Sequence, residues 1–337
     1  MCIIVDMAEF ISSFITGFQD VVAKDLPARL PGCTILNLFD GLIHYKYAGN
    51  SRDLEKIFYF NNTFFVLKTM KGKGLNFPSI VGAVASEKKY YLINKGTFRV
   101  RFQNENQFAK VDKNISKKAE ECVLRNSKLQ IDRLSPSTEI WYSIRREGFA
   151  FCGQLISKRE FTEKNLNKGE LRPEIAYFMC CFADFEKQKI VADPFCGYGS
   201  VPIQLSKRFN CEKIFVSDID GEKIDLLKKN KHLQRDYINI LCENAFELNN
   251  VSDKYFDVII TDPPWGFYED IGDIFEFYKK MFVSFRRVLK DDGTMVILSA
   301  RVEEIKKAMD EMNVQIIDSL HTLVNGKKAS LFKCSFV

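Results

Sequence analysis

Between residues 190 and 299 the chain repeats short apolar runs, at 190–192, 214–217, 238–241, 256–261 and 294–299. They are rich in Ile, Val and Phe and show little internal alternation, as strands buried on both faces do. The earlier runs are each followed by a polar turn and an amphipathic helical pattern, for example at 222–232. Strands spaced by such helices pair in parallel, because the crossover between parallel neighbours needs a helix of about this length. The pattern predicts an α/β fold with an open, doubly wound sheet. Ligands of such sheets bind beyond the carboxyl ends of the strands, so the chemistry belongs in the loops that follow each run.

The chain has 337 residues, of which 46% are hydrophobic and 28% charged, an ordinary globular balance with more chain than one core usually holds. The front half reads as small α+β units. Residues 9–26 carry Phe10, Phe14, Phe18, Val21 and Val22 at near-helical spacing. Strands are expected at 34–39 and 42–47 around the Asp40-Gly41 turn, at 63–70, at 129–132 and at 139–145, and helices at 54–61 and 115–126. KGKGLNFPS reads as a polar connection. TFRVRF alternates strictly, with Phe98, Val100 and Phe102 on one face and Arg99 and Arg101 on the other.

The net charge of +5 is unevenly spread. Residues 1–170 hold 26 Lys and Arg against 18 Asp and Glu, a balance of +8, while residues 171–337 hold 23 against 26, a balance of −3. A basic front half suits a polyanion. Ten cysteines without a CxxC spacing, and three histidines in all, point to reduced thiols and to no metal site. The start, MCIIVDMAEF, has acids where a signal peptide would be basic, and no apolar run is long enough to cross a bilayer. A cytoplasmic protein is the expectation.

Four loops carry the chemistry. The first, Asp193-Pro-Phe-Cys-Gly-Tyr-Gly-Ser200, places Gly197 and Gly199 where the backbone turns sharply beside a ligand, ahead of a helix N-terminus. It is neither a phosphate-binding P-loop nor a full dinucleotide fingerprint, since no Gly-Lys-Ser/Thr follows and position 202 is Pro. The second ends a strand in Ser217-Asp218-Ile219-Asp220. An acid at this distance after a glycine turn accepts ribose hydroxyls, a role for Asp218, while Asp220 is placed to cap the next helix. The third, Glu243-Asn244-Ala245-Phe246, can meet an adenine edge. The fourth follows a β-branched strand with Asp262-Pro263-Pro264-Trp265-Gly266. Its prolines stiffen an elbow and leave carbonyl acceptors free beside a carboxylate, as an exocyclic amine requires, and Trp265 offers a face on which a base stacks.

ADPFCGYGS, VSDID and TDPPWG, in that order, resemble the motifs of class I S-adenosylmethionine-dependent methyltransferases that act on amino groups of bases. With LRPEIAYFM ahead of the glycine loop, and TFRVRF and IWYSIRREGFAFCG in front, the chain resembles the THUMP-domain RNA methyltransferases. The resemblance implies a Rossmann-like C-terminal sheet preceded by two α+β modules. It divides the chain into a ferredoxin-like domain at 1–70, a THUMP RNA-binding domain at 71–157, a linker at 158–170 and the methyltransferase domain at 171–337.

The same resemblance implies S-adenosyl-L-methionine as cofactor, held by Asp193, Phe195, Gly197, Gly199, Ser200, Asp218, Ile219, Asn244 and Ala245. It gives Asp262, Pro263, Pro264 and Trp265 the target amine, the N2 of a guanosine in tRNA. Gln204 and Asn244 stand where relatives more often carry acids. Capture of tRNA or another structured RNA falls to the basic half, with Arg99, Arg101, Arg145, Arg146, Lys158 and Arg159 as candidates. DNA adenine-N6 and protein glutamine methylation are the rival activities, and an idle RNA-binding protein the rival of another class.

Overall fold

The computed structural model describes residues 8–159, 166–185, 188–267 and 270–337. The chain forms two compact units, Met1–Phe14 with Val22–Glu160, and Ile15–Val21 with Phe161–Val337. Part of the expected linker, residues 160–165, lies outside the described residues, as do residues 1–7 of the expected first module.

The elements over the first 159 residues are β1 (Ala8–Ser13), α1 (Gln19–Arg29), β2 (Thr34–Phe39), β3 (Leu42–Tyr47), α2 (Ser51–Glu55), β4 (Asn62–Lys71), α3 (Phe77–Ala85), β5 (Lys95–Asn104), β6 (Gln107–Phe108), α4 (Lys113–Asn126), β7 (Lys128–Ile131), β8 (Thr138–Arg145) and β9 (Phe149–Lys158). Among the described residues the strands form one mixed sheet in the order β2-β3-β1-β4-β9-β8-β5-β6, with β7 beside β5. The antiparallel β4–β9 pair carries the sheet through the boundary expected near residue 70. A shared core of Ile11, Leu42, Phe64, Trp141, Phe149 and Phe151 packs on it.

Three local expectations are corrected here. Residues 9–13 are strand rather than helix, and the helix begins only at Gln19, after Gly17 with its φ of 90°. Phe10, Ile11 and Ser12 are all buried, so a central strand covered on both faces imitated helical spacing. The helix expected at 54–61 stops at Glu55. The end of KGKGLNFPS opens α3: the Asn76 side chain accepts from the Ser79 N–H, Ser79 bonds back to Asn76, and Pro78 fits the first turn.

The second unit holds α5 (Pro173–Ala183), β10 (Ile190–Asp193), α6 (Ser200–Arg208), β11 (Lys213–Asp218), α7 (Gly221–Lys228), β12 (Ile238–Cys242), β13 (Phe256–Thr261), α8 (Ile274–Val288), β14 (Leu289–Ser299), α9 (Val302–Glu311), β15 (Val314–Val324) and β16 (Lys327–Phe336). Its sheet runs β12-β11-β10-β13-β14-β16-β15, parallel through β14 and antiparallel at β16 and β15. This is the doubly wound sheet that the apolar runs predict and the Rossmann-like one that the resemblance implies, and each run lies in a strand of it. Strand order reverses between β10 and β13, so their carboxyl ends open a crevice at the switch point.

Helix α8 turns Phe277, Tyr278, Met281, Phe282, Phe285 and Val288 inward, against Phe256, Met295 and Ile297 of the sheet. Its first turn is capped by Asp273, which accepts from the Phe275 and Glu276 N–H groups. Phe256 is fully buried. Phe256→Ala is expected to cost about 3–5 kcal/mol through the cavity it leaves. The check is the urea midpoint in a Trp141→Phe background, where Trp265 is the only indole left; a change under about 1 kcal/mol would contradict this packing.

Candidate active site

The glycine loop after β10 is wound tightly. The Gly199 N–H donates to the Cys196 carbonyl at 2.7 Å, and Gly197 and Gly199 take φ of 51° and 84°. A Cβ on Gly199 would lie 2.5 Å from the Leu227 Cδ2, so this position needs glycine for space as well as for conformation. Gly197 faces open space instead, and its N–H donates to the Asp218 Oδ2 at 2.8 Å. That bond ties the first loop to the second. The other Asp218 oxygen accepts from the Asp220 N–H, and Asp220 caps α7 through the Glu222 and Lys223 N–H groups, as its position predicts.

Two more carboxyls meet at the floor of the crevice. Asp193 ends β10 fully enclosed and accepts from the Thr261 hydroxyl at 2.7 Å. Burial raises its carboxyl to about 7, with the Thr261 and Phe195 hydrogen bonds pulling the other way. Asp262 follows Thr261 and is raised well above the ordinary range, first by burial and then by the nearby charge of Asp193, with the Trp265 side chain opposing. Its residue is half-open, yet its Oδ1 is buried and has no hydrogen-bond partner among the described residues. The next turn is held from both sides: the Trp265 indole N–H donates to the Leu298 carbonyl at 3.3 Å, and the Trp265 carbonyl accepts from the Arg301 Nε at 2.9 Å.

These loops enclose one cavity of about 560 Å³, within the range of small-molecule sites. Of the residues expected at the cofactor, Phe195, Gly197, Asp218, Ile219, Asn244 and Ala245 line it, as do Asp262, Pro263, Pro264 and Trp265. Asp193, Gly199 and Ser200 stand behind the lining. Asp193 lies beneath the floor, Gly199 is the N-cap of α6, and the Ser200 hydroxyl donates to the Leu171 carbonyl at 2.7 Å. Asn244 shapes its own turn, its Oδ1 accepting from the Phe246 N–H at 3.0 Å. Gln204, where relatives more often carry an acid, is buried and accepts from the Arg208 Nε at 3.0 Å.

The residues fit S-adenosylmethionine. Asp218 retains free lone pairs for hydroxyls, and Ile219, 73% exposed, offers an apolar face opposite the aromatic group of Phe195, Phe246 and Phe277. Lys168, Leu171, Phe277, Phe267, Asn325 and Lys327 also line the cavity, outside the four loops that the sequence marks. Only the Asn325-Gly326 pair, a hairpin-turn signal, was there to be noticed.

The basic candidates are all in the first unit, and three are engaged with acids. Arg99 and Arg101 both pair with Glu139, and Arg145 pairs with Glu147 and donates to the Asp40 carbonyl. Arg159 lies over the Phe58 ring, whereas Arg146 and Lys158 are exposed.

The family described as RMKL-like, methyltransferase domain, matches residues 159–328. A Methanothermococcus thermolithotrophicus protein named "Probable tRNA (guanine(10)-N2)-dimethyltransferase" is 31% identical over 147 residues, 41% of this chain and 87% of its own. A U6 snRNA (guanine-N(2))-methyltransferase of Bos taurus is 30% identical over 131 residues, and the chain spans only 25% of its length. The solved structure of TrmN from Thermus thermophilus superposes with a TM-score of 0.78 at 18% identity, over 98% of this chain and 99% of that one. SMU.472, solved with SAH bound, gives 0.71 at 13% identity over 99% of each chain.

The raised Asp193 carboxyl has a measurable sign. Unfolded, it loses its proton near pH 4; folded, it keeps it to about 7. In that window the folded state binds the extra proton, so stability falls as pH rises and levels off above it. Asp193→Asn keeps the acceptor for Thr261 and removes the titration. Its urea midpoint should fall less than the wild type's between about pH 4 and about pH 7. Parallel curves would show that Asp193 is ionised throughout.

Proposed function

The chain belongs to the RMKL-like methyltransferase family, and on that premise we propose that it methylates the N2 amino group of a guanosine in tRNA or a similarly structured RNA. The observation that carries the reading is the buried, partnerless Oδ1 of Asp262, set on a double-proline elbow that lines the cavity. An unpaired acceptor of this kind is costly to keep, and an amine N–H is the partner that satisfies it.

S-adenosylmethionine, when bound, supplies an electrophilic sulfonium methyl group, so the protein's part is alignment and exclusion of water. Asp218, Ile219 and Asn244 would hold the adenosine end, and the glycine loop, with Asp193 behind it, the methionine end. Asp262 and the Pro263 carbonyl would accept the two N2 hydrogens, turning the amine lone pair toward the methyl group and favouring its pyramidal, more nucleophilic form. Trp265 would support the base. Asp262, entering the step ionised, would take the surplus proton once the new C–N bond has formed, and its raised proton affinity favours that transfer.

The first unit is read as the RNA-delivery part, comprising a ferredoxin-like module at 1–70 and a THUMP module at 71–157, with 158–170 as linker and 171–337 as the methyltransferase domain. Its +8 balance supports this, with exposed Arg146 and Lys158 as the readiest phosphate contacts and Arg99, Arg101, Arg145 and Arg159 behind them. A cytoplasmic site of action goes with that substrate. No helix among the described residues is long and apolar enough to cross a membrane.

The test is incubation with labelled S-adenosylmethionine and total tRNA, followed by nucleoside mass spectrometry. N2-methylguanosine is the expected product; label appearing only in DNA or protein would move the activity to another substrate. Asp262→Asn is expected to lower kcat by about a hundredfold or more while leaving cofactor binding within about twofold. Full activity in that variant would remove Asp262 from the chemistry.

A further inference from the structure

Charged residues of both signs line the cavity: Lys168, Glu170, Asp218, Asp220, Lys223, Asp262 and Lys327, with Lys223 paired to Asp220 at 3.4 Å. A separate set of groups gathers around Phe267 and the β15–β16 turn. In that turn Asn325 and Gly326 take φ of 49° and 77°, the left-handed pair of a tight hairpin, and Asn325 and Lys327 line the cavity. The Lys327 Nζ lies 3.9 Å from the centre of the Phe267 ring, and the Arg301 guanidinium carbon lies 4.5 Å from the same ring. Arg301 is committed to structure: it donates to the Trp265 carbonyl and lies 3.7 Å from Glu304. Lys327 has no carboxylate within ion-pair distance among the described residues. Two cations thus converge on one half-exposed ring, whose negative face offsets part of their repulsion.

From this juxtaposition we infer that Lys327, supported by Phe267 and Arg301, is a phosphate site at the mouth of the pocket, gripping the RNA backbone at or beside the target nucleotide. The inference rests on the RNA-methylating reading above and deepens it. Elsewhere in the lining Lys223 is already paired with Asp220, whereas Lys327 has no carboxylate beside it among the described residues, so a polyanion is drawn to this side. The ammonium stands on a two-residue hairpin, so its position is defined by strand pairing rather than by a long loop. Because Arg301 also holds the Trp265 carbonyl, the anion site and the amine-binding elbow share one support.

The experiment uses the full chain, with Lys327→Gln, Lys327→Arg and Lys328→Gln compared with wild type. Lys328 is the exposed neighbour that does not line the cavity, so it controls for net charge alone. Expected for Lys327→Gln are a rise of about fivefold or more in KM for tRNA and a fall of about one in the slope of log affinity against log salt, with S-adenosylmethionine affinity unchanged. Lys327→Arg should restore most of both, and Lys328→Gln should match wild type. Unchanged KM and salt slope in Lys327→Gln, beside a wild type that methylates tRNA, would overturn the phosphate site alone. Loss of cofactor affinity in that variant would overturn it too, by assigning the lysine to the cofactor. A wild type that methylates no RNA would overturn the parent reading, and this site with it.

Discussion

The arrangement of the second unit turns on one buried hydrogen bond, from the Thr261 hydroxyl to the Asp193 carboxyl. It joins the ends of β10 and β13 where the strand order reverses. The glycine loop leaves from one of those ends and the double-proline elbow from the other. The two strands already pair at Val191 with Val258 and at Ala192 with Ile259, and this bond carries the link to the point where the loops depart. The same bond keeps a carboxyl in an apolar setting, and the resulting charge repulsion reaches Asp262, the next residue along the chain. The elbow's proton affinity is thus set first by the burial of Asp262 and then by its neighbour Asp193.

The loops are held together by main-chain donors as much as by side chains. Asp218 accepts from Gly197 on the first loop and from Asp220 on its own, so its carboxylate is oriented before any ligand arrives. A site oriented in advance needs less ordering on binding. The aromatic cluster of Phe195, Phe246 and Phe277 supplies the apolar wall opposite and is continuous with the packing of α8 against the sheet. Core and pocket are one body of side chains.

How much of this could be read from sequence follows from how local each signal is. The five apolar runs of the parallel sheet were legible because burial on both faces needs no knowledge of partners. The loops after them were legible because strand ends define them. Residues 9–13 were misread, since a buried central strand and a buried helix face can share a spacing. Asn325-Gly326 marks a hairpin, but its place at the pocket, with Lys327, follows only from β16 inserting antiparallel between β14 and β15, which no local signal announces. The state of Asp262 was equally hidden, for its proton affinity depends first on burial and then on Asp193, sixty-nine positions earlier in the chain.

Arg99 and Arg101 both pair with one carboxylate, Glu139, in the first unit. Seen from beyond the Debye length of about 8–10 Å, two guanidinium groups and one carboxylate amount to a single positive charge, so they draw a distant polyanion weakly. At contact the account would change, because a phosphate reaching Arg99 would meet N–H donors already bonded to Glu139. A flexible anion that offers one oxygen at a time competes poorly with a carboxylate already in place. A rigid helix that presents its phosphates at fixed spacing competes better. Selection between the two would then come from the cost of displacing a resident counter-ion, with no base being read.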